Sequence, residues 1–484
     1  MSKVYLVGAG PGDPELLTLK GRRLLEQADA VLYDYLANPA LLRLAPPQAE
    51  RVYVGKKKSV HAFTHEEICA MMIERARHGL SVVRLKGGDP FIFGRGGEEA
   101  EALAAAGVPF EIVPGVTSPL GIAAYTGVPL THREHTKLVT FVTGHDVDAI
   151  DWSKTGQTET LVIFMGLTTF DEIARRLIAH GRAPETPAMA VRWATRSDQH
   201  TLAATLATLP ALIHEQGLKP PATIIVGEVV ALRERLNWFE RLPLFGRRIV
   251  VTRARDQAGA LSARLQALGA EVIEIPTIEI QPAPDYEPLD RAIANLASYD
   301  WLIFTSANGV RFFLDRLDRS AADLRQLRAR ICAIGPATRA AIEALHLKVD
   351  VMGADYVAES LLAAFADHDL AGRRILLPRA AVARDLIPAE LARRGAHVEV
   401  VEAYRTIPPP GPLDLTPPPD WITFTSSSTV QNFVALAGAA SLAGVKVASI
   451  GPVTSATARR LGIEVTVEAS VFTIDGLVAA IAEH

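Results

Sequence analysis

RLKGGDPFIFGRGGEE, residues 84–99, decides how the first half of the chain is read. Residues 82–85 have the character of a short buried strand. Gly87 and Gly88 break it, an acid, a proline and the Phe91-Ile92-Phe93 triplet follow, and Gly94, Gly96 and Gly97 lead into a helix expected from Glu98. A strand that dissolves into glycines and restarts as a helix brings backbone close to something small. A plain strand-to-helix connection is the competing explanation. The length of the run, with Lys86, Asp89 and Arg95 set among the glycines, favours a binding loop.

Working outward, residues 4–7 form a strand and GAGPGDP (8–14) follows at once. A helix over 15–27 and a strand over 30–33 ending at Asp34 complete a βαβ unit. This is close to the dinucleotide fingerprint, with an acid about 20 residues beyond the glycines. An NAD(P) site is therefore the rival. Pro11 and Pro14 stand where that loop offers N–H groups to a pyrophosphate, and proline has none, which favours a ligand without phosphates. Residues 52–54 form a further strand before the basic run 56–58. Thr64 and Glu67 have the spacing of a capping box for a helix to about 78. A strand over 108–113 precedes a helix that Thr117 or Ser118 caps. In an open α/β sheet the carboxyl ends of the strands share one side, which gathers Pro11, Asp34, Lys56, 87–89 and Thr117 at one cleft. Strands over 139–143, 160–165, 188–191 and 222–226 then make a second αβ lobe.

The chain of 484 residues is long enough for about three domains. Its net charge of −4 provides no basic field, so no nucleic-acid partner is expected. Cys69 and Cys332 are far apart and have no metal-ligand spacing; they suit a reducing cytoplasm. His132, His135 and His145 lack a helical metal motif, and no metal is expected. No basic-then-apolar leader precedes residue 4 and no apolar run nears the ~20 residues of a bilayer span, so a cytoplasmic protein without membrane contact is expected.

GAGPGDP at 8–14, YD at 33–34, VGK at 54–56, the 84–99 stretch, VPGVTS at 113–118, GVPLTHR at 127–133, TGH at 143–145, MG at 165–166 and PATIIVGEVV at 221–230 together resemble uroporphyrinogen-III C-methyltransferases over residues 1 to about 240. The resemblance implies two lobes, about 1–135 and 136–240, with S-adenosylmethionine bound between them and S-adenosylhomocysteine as product. It implies a tetrapyrrole methylated on two pyrrole carbons and a homodimer formed through this domain. By position, Pro11, Gly87, Gly88, Asp89, Ile92, Thr117, Ser118, Met165, Ala194 and Ala222 would line the donor site, and Asp34 and Lys56 would be the acid–base pair. The donor carries a sulfonium and a carboxylate but no phosphate, in keeping with the prolines. The substrate is a polycarboxylate, and Lys86, Arg95 and Arg133 would face it, with bracing of the loop as the alternative for Lys86 and Arg95. Tyr35 and Pro119 depart from the family pattern.

After a linker at 241–246 the chain repeats itself. IFTSANGVRFF (303–313) answers TFTSSSTVQNF (423–433), and AIGPATRAAI (333–342) answers SIGPVTSATA (449–458). Each set reads as strand, polar loop and helix, which gives two small doubly wound lobes. Thr305, Ser306, Thr425 and Ser426 offer hydroxyls and helix N–H groups to anions, or are ordinary caps. These motifs resemble uroporphyrinogen-III synthases over 247–484. That implies lobes of about 247–280 plus 407–484 and about 281–406, joined by crossing strands near 279–281 and 404–406. It also implies closure of hydroxymethylbilane with inversion of ring D, and a role for Tyr404 in loss of the terminal hydroxyl; a core tyrosine is the alternative. The expected fold is therefore α/β: a two-lobed tetrapyrrole methyltransferase domain, then two small doubly wound α/β lobes of the synthase type. A methyltransferase of the later cobalamin branch, or a degenerate tetrapyrrole-binding module in the second half, are the other readings.

Overall fold

Four sheets, five or six strands each, carry the chain. The computed structural model describes residues 3–55, 63–253, 255–353, 358–382, 385–409, 411, 413 and 415–484, without side chains at 255–258. Lys56 lies outside the described residues. The chain divides into two compact units. The first is Met1–Ile249 with Ala263–Val272 and Glu483; the second is Val250–Ser262, Ile273–Ala482 and His484.

In the first unit one sheet is wholly parallel, ordered Glu50–Tyr53, Ala30–Tyr33, Val82–Lys86, Val4–Gly8, Phe110–Val113. Both faces are covered, so its central strands are mostly apolar on both faces rather than alternating, with Arg84 and Lys86 of Val82–Lys86 the charged exceptions. Val7, Val31, Val83 and Leu85 pack with Leu24 and Leu25 of the helix Leu19–Glu26. Val4, Leu6, Leu32 and Val82 pack on the other side with Met72 and Leu103. The helix expected over 15–27 is divided. Asp13 caps a 3₁₀ turn, Pro14–Leu16, and Thr18 captures the Gly21 N–H to start Leu19–Glu26 afresh. Thr64 and Glu67 do form the capping box of His65–Arg77.

The second sheet is ordered Val139–Thr143, Thr160–Phe164, Ala222–Val226, Pro187–Arg192, His200–Thr205. It is mixed: Ala222–Val226 runs antiparallel to both of its neighbours. The edge strand His200–Thr205 and the helix Leu209–Glu215 have no counterpart in the sequence reading. Of His200–Thr205 only Leu202 is buried, so the period-2 signal that announces a strand is missing there.

In the second unit the order Glu279–Pro282, His397–Ile407, Arg374–Ala380, Trp301–Phe304, Arg330–Ala333, Val351–Met352 makes one sheet, parallel except for its first pair. That antiparallel pair sets Gln281 opposite Arg405 and Pro282 opposite Tyr404. The remaining sheet is ordered Glu271–Glu274, Arg248–Val251, Trp421–Phe424, Lys446–Ser449, Val467–Glu468, and the division between the units passes through its first two strands. No described helix is long and apolar enough to cross a membrane.

Candidate active site

The carboxyl ends of the parallel strands open into a cavity of about 740 Å³, within the range that small ligands and cofactors occupy. Pro11 reaches it from the loop after the first strand, Gly87, Gly88, Asp89 and Ile92 from the 84–99 stretch, and Thr117 and Ser118 from the start of the helix Ser118–Thr126. Met165, Ala194 and Ala222 close it from the second sheet. The antiparallel Ala222–Val226 strand begins at the end where its neighbours finish, with Thr223 opposite Phe164 and Ala222 opposite Arg192. Asp34, Lys86 and Arg95 also line the cavity.

Backbone forms much of this wall because three loops meet through glycine. A Cβ on Gly8 would lie 2.6 Å from Cα of Gly115, and one on Gly115 would lie 2.4 Å from the Gly88 carbonyl oxygen. Gly10 and Gly88 exchange hydrogen bonds, with the Gly88 N–H donating at 2.7 Å and the Gly10 N–H at 3.2 Å. Asp89 ties the same loops together: its Oδ2 accepts from the Gly115 N–H at 2.9 Å and its Oδ1 from the Phe91 N–H at 2.8 Å. Thr117 stands at the N-cap but makes no side-chain capping bond.

A buried charge network underlies the floor. Arg84 and Lys86 project from one face of Val82–Lys86, a strand buried along its whole length. Arg84 Nε donates to Glu99 Oε1 at 3.2 Å, its Nη2 to Asp34 Oδ2 at 3.2 Å and its Nη1 to the Leu85 carbonyl at 3.1 Å. Lys86 Nζ donates to the same Glu99 oxygen at 2.8 Å. Burial, then the Arg84 charge, holds the Lys86 ammonium below the usual lysine range, against the pull of Glu99. Two carboxylates face two cations, so the network is formally neutral, the condition for burying such charge. Asp34 keeps its other oxygen on the Leu36 N–H at 3.0 Å and remains at the cavity edge, its side chain 23% exposed.

Left-handed backbone concentrates here. Six non-glycine residues among those described have positive φ, and five of them, Phe93, Arg95, Met165, Trp193 and Thr195, lie on the wall or next to it. Such conformations cost of order 1–3 kcal/mol each and persist where the surroundings over-determine them. Exposed apolar groups accompany them: Phe93 packs on Phe164 with ring centroids 4.8 Å apart, and Trp193 meets Tyr35 edge-on at 5.3 Å.

In the second unit Thr305–Ser306 and Thr425–Ser426 stand at corresponding places, each between a strand and a helix, on different sheets. Ser306 caps Ala307–Leu317 by accepting from the Gly309 N–H, and Ser426 caps Ser427–Ala437 through a capping box with Thr429. Tyr404 is buried in the strand His397–Ile407, its ring stacked on Phe312 and its hydroxyl 2.9 Å from Ser306 Oγ.

Residues 3–210 match the family model of Tetrapyrrole (Corrin/Porphyrin) Methylases, and residues 259–479 that of Uroporphyrinogen-III synthase HemD. Over 99% of its length the chain is 36% identical to the Porphyrin biosynthesis protein HemD of Ruminiclostridium josui, covering 97% of that protein. The chain belongs to the porphyrin biosynthesis protein HemD family. It is an enzyme that joins a tetrapyrrole methylase to a uroporphyrinogen-III synthase. The siroheme synthase of Stutzerimonas stutzeri (strain A1501) is 52% identical over 251 residues, 51% of this chain and 54% of that protein; the chain thus spans about half the length of this relative. The crystal structure of the uroporphyrin-III C-methyl transferase of Thermus thermophilus complexed with S-adenyl homocysteine is 44% identical, covers 48% of this chain and 100% of its own, and superposes with a TM-score of 0.42.

Within the methylase half the structure places two of the cations expected at the substrate face as follows. Lys86 lines the cavity, and its buried ammonium is engaged by Glu99, the arrangement expected of the loop-bracing alternative. Arg133 is exposed and is not among the lining residues. The backbone exchange between His132 and Thr136 folds that turn back on itself. In the same turn His132, Glu134 and His135 hold ligand-capable atoms within 4.8 Å of one another, and none of the three lines the cavity. Glu99, Arg84, Phe93 and Trp193 are site residues that sequence reasoning missed. The one available signal was a pair of cations, Arg84 and Lys86, in an otherwise apolar strand.

Proposed function

We propose that the methylase half of this HemD-family chain binds S-adenosylmethionine in the cavity and methylates uroporphyrinogen III twice to give precorrin-2. The synthase half supplies that substrate by closing hydroxymethylbilane with inversion of ring D. The observation that carries the reading is the meeting of the three glycine loops with Met165, Ala194 and Ala222 around one cavity whose first loop is Gly10-Pro11-Gly12. A proline in that loop cannot donate to a phosphate, whereas backbone carbonyls and apolar contacts suit adenosine and a sulfonium.

S-adenosylmethionine supplies an electrophilic methyl group on sulfur. The cavity holds the pyrrole carbon in line with it, and orientation of this kind accounts for up to ~7–11 kcal/mol of a barrier. The methylated macrocycle must then lose a proton. Asp34, its carboxylate aimed by Arg84 and the Leu36 N–H, takes it at the cavity edge. Lys56 is the proposed partner in proton transfer or carboxylate anchoring, and Arg95, which lines the cavity with its side chain 61% exposed, is the proposed anchor for substrate carboxylates. In the synthase half Tyr404 is the proposed aid to departure of the terminal hydroxyl, its own hydroxyl oriented by Ser306; the helix starts at Thr305–Ser306 and Thr425–Ser426 offer N–H groups to carboxylates. We assign the enzyme to the cytoplasm, as a homodimer formed through the methylase half.

One assay tests the whole reading: hydroxymethylbilane and S-adenosylmethionine are given to the full chain and products followed by mass. Precorrin-2 is expected. Uroporphyrinogen I as the sole cyclic product would sink the synthase assignment. A melting temperature raised by NADH but not by S-adenosylhomocysteine would sink the donor assignment.

A further inference from the structure

We propose that Glu240, beyond the residues matched by the methylase model, is a positioning residue for the methyl-donor site and acts through Gln199 on the segment 193–195. The inference rests on the reading of the cavity as the S-adenosylmethionine site.

Trp193 and Ala194 line the cavity, and Trp193 and Thr195 hold φ of 51° and 68°. Neither is glycine, so the segment needs an external clamp to keep this shape. It is also in close contact with the donor loop. A Cβ on Gly12 would lie 2.7 Å from the Ala194 carbonyl oxygen, and the Asp13 N–H donates to Thr195 Oγ1 at 2.8 Å. Any relaxation of 193–195 therefore moves the Gly10–Asp13 side of the cavity as well.

Gln199 supplies the clamp. Its Oε1 accepts from the Thr195 N–H at 2.9 Å and its Nε2 donates to Glu240 Oε1 at 2.7 Å. A glutamine amide has an accepting end and a donating end. Glu240, an acceptor, takes the NH₂ end and so turns the carbonyl end toward Thr195. Glu240 is itself held: Thr201 Oγ1 donates to the same oxygen at 2.6 Å, and Arg233 pairs with the other. Arg233 also donates to the Thr126 carbonyl at 3.3 Å, at the end of the helix Ser118–Thr126. The residue beside Glu240 gives a second route to the same loop. Phe239 packs edge-on against Tyr125 at 4.7 Å, and the Tyr125 hydroxyl donates to Asp13 Oδ2 at 2.6 Å. Burial, and then this bond to Asp13, push the Tyr125 hydroxyl pKa up, which keeps the donor in place. The turn Phe239–Arg241 thus reaches Asp13 through its backbone N–H and through its carboxylate.

The test is calorimetric titration of the full chain with S-adenosylhomocysteine, for wild type, Glu240→Gln and the reciprocal exchange Gln199→Glu with Glu240→Gln. In Glu240→Gln the side chain can no longer accept from Gln199, Thr201 and Arg233 together. Affinity is expected to fall about tenfold or more, as the loss of a hydrogen bond to a charged group gives. In the steady state the KM for S-adenosylmethionine rises and kcat at saturation is kept. The exchange restores an acceptor for Thr195 and a donor–acceptor pair between 199 and 240, and is expected to recover most of the affinity. Equal affinity in wild type and Glu240→Gln overturns the proposal. So does a loss that the exchange does not recover while the ligand-free melting temperature falls in both variants, since that assigns Glu240 to folding alone. A wild-type chain that does not bind S-adenosylhomocysteine overturns the donor reading beneath it.

Discussion

Arg84 and Lys86, two residues apart on a strand buried throughout, persist because Glu99 sits between them and Asp34 completes the balance. Glu99→Gln leaves two cations facing one carboxylate at the cavity edge. We expect a loss of about 3–5 kcal/mol in denaturant unfolding of the first unit, the cost of removing one partner from a buried ion pair. Asp34→Ala should behave differently. It removes the proposed proton acceptor at the rim, so turnover is expected to fall about 10²–10⁴-fold while S-adenosylhomocysteine affinity stays close to wild type by calorimetry; wild-type turnover would remove Asp34 from the mechanism. In the synthase half, Tyr404→Phe deletes a hydroxyl bonded to Ser306 and keeps the stack on Phe312. Stability should drop by about 1 kcal/mol; a fall of more than tenfold in uroporphyrinogen III formation in stopped assays supports the chemical role, and an unchanged rate returns Tyr404 to the core. Asp34 was legible as an acid ending a strand at the cleft. Glu99 was not, because a glutamate in the first turn of a helix has the appearance of a surface residue until a neighbouring strand presents cations to it.

At the scale of elements, the site depends on how closely loops approach. The 84–99 stretch was readable as strand, loop and helix, and the strand Val82–Lys86 and the helix Gly96–Ala105 flank it. The left-handed backbone of Phe93 and Arg95 inside that loop was not readable, since nothing local favours it over glycine. The close packing of Gly8, Gly88 and Gly115 predicts that Gly115→Ala is felt as ligand binding. The added methyl must displace the Gly88 carbonyl oxygen 2.4 Å away, which lies on the cavity wall. We expect S-adenosylhomocysteine affinity to fall at least about tenfold, equivalent to ~1.4 kcal/mol, with helix content unchanged by circular dichroism. Thr64–Glu67 is a cap written in local sequence, and it stands where such spacing puts it; Thr18 starts a helix at a point that the sequence reading had placed inside one. The strand His200–Thr205 is the contrary case: it exists because Pro187–Arg192 offers it an edge, a reason invisible in a segment with one buried side chain.

For the whole molecule, the two compact units predict separable unfolding. With S-adenosylhomocysteine at about 100 times its Kd, one calorimetric transition should gain about 2.7 kcal/mol and move upward, while the other stays in place; a single transition shifting as a block would contradict independent units. The sequence by itself determined that this is an α/β chain with an internal repeat and a glycine-rich strand-to-helix loop, because strand burial, glycine freedom and helix caps are local properties. Motif resemblance determined which chemistry to look for. Tertiary structure alone decided that the Lys86 ammonium pairs with Glu99, that Arg133 is not among the residues lining the cavity, and that Gln199 links the Thr195 N–H to Glu240. Each of those outcomes depends on which distant group reaches a side chain first, and pairing across 13 residues for Lys86 with Glu99, or 41 for Gln199 with Glu240, is set by packing. The loop at 84–99 was therefore visible in the sequence as the element that lines the cavity, and its charges acquired their partners only when the sheet and the helix Gly96–Ala105 were brought together.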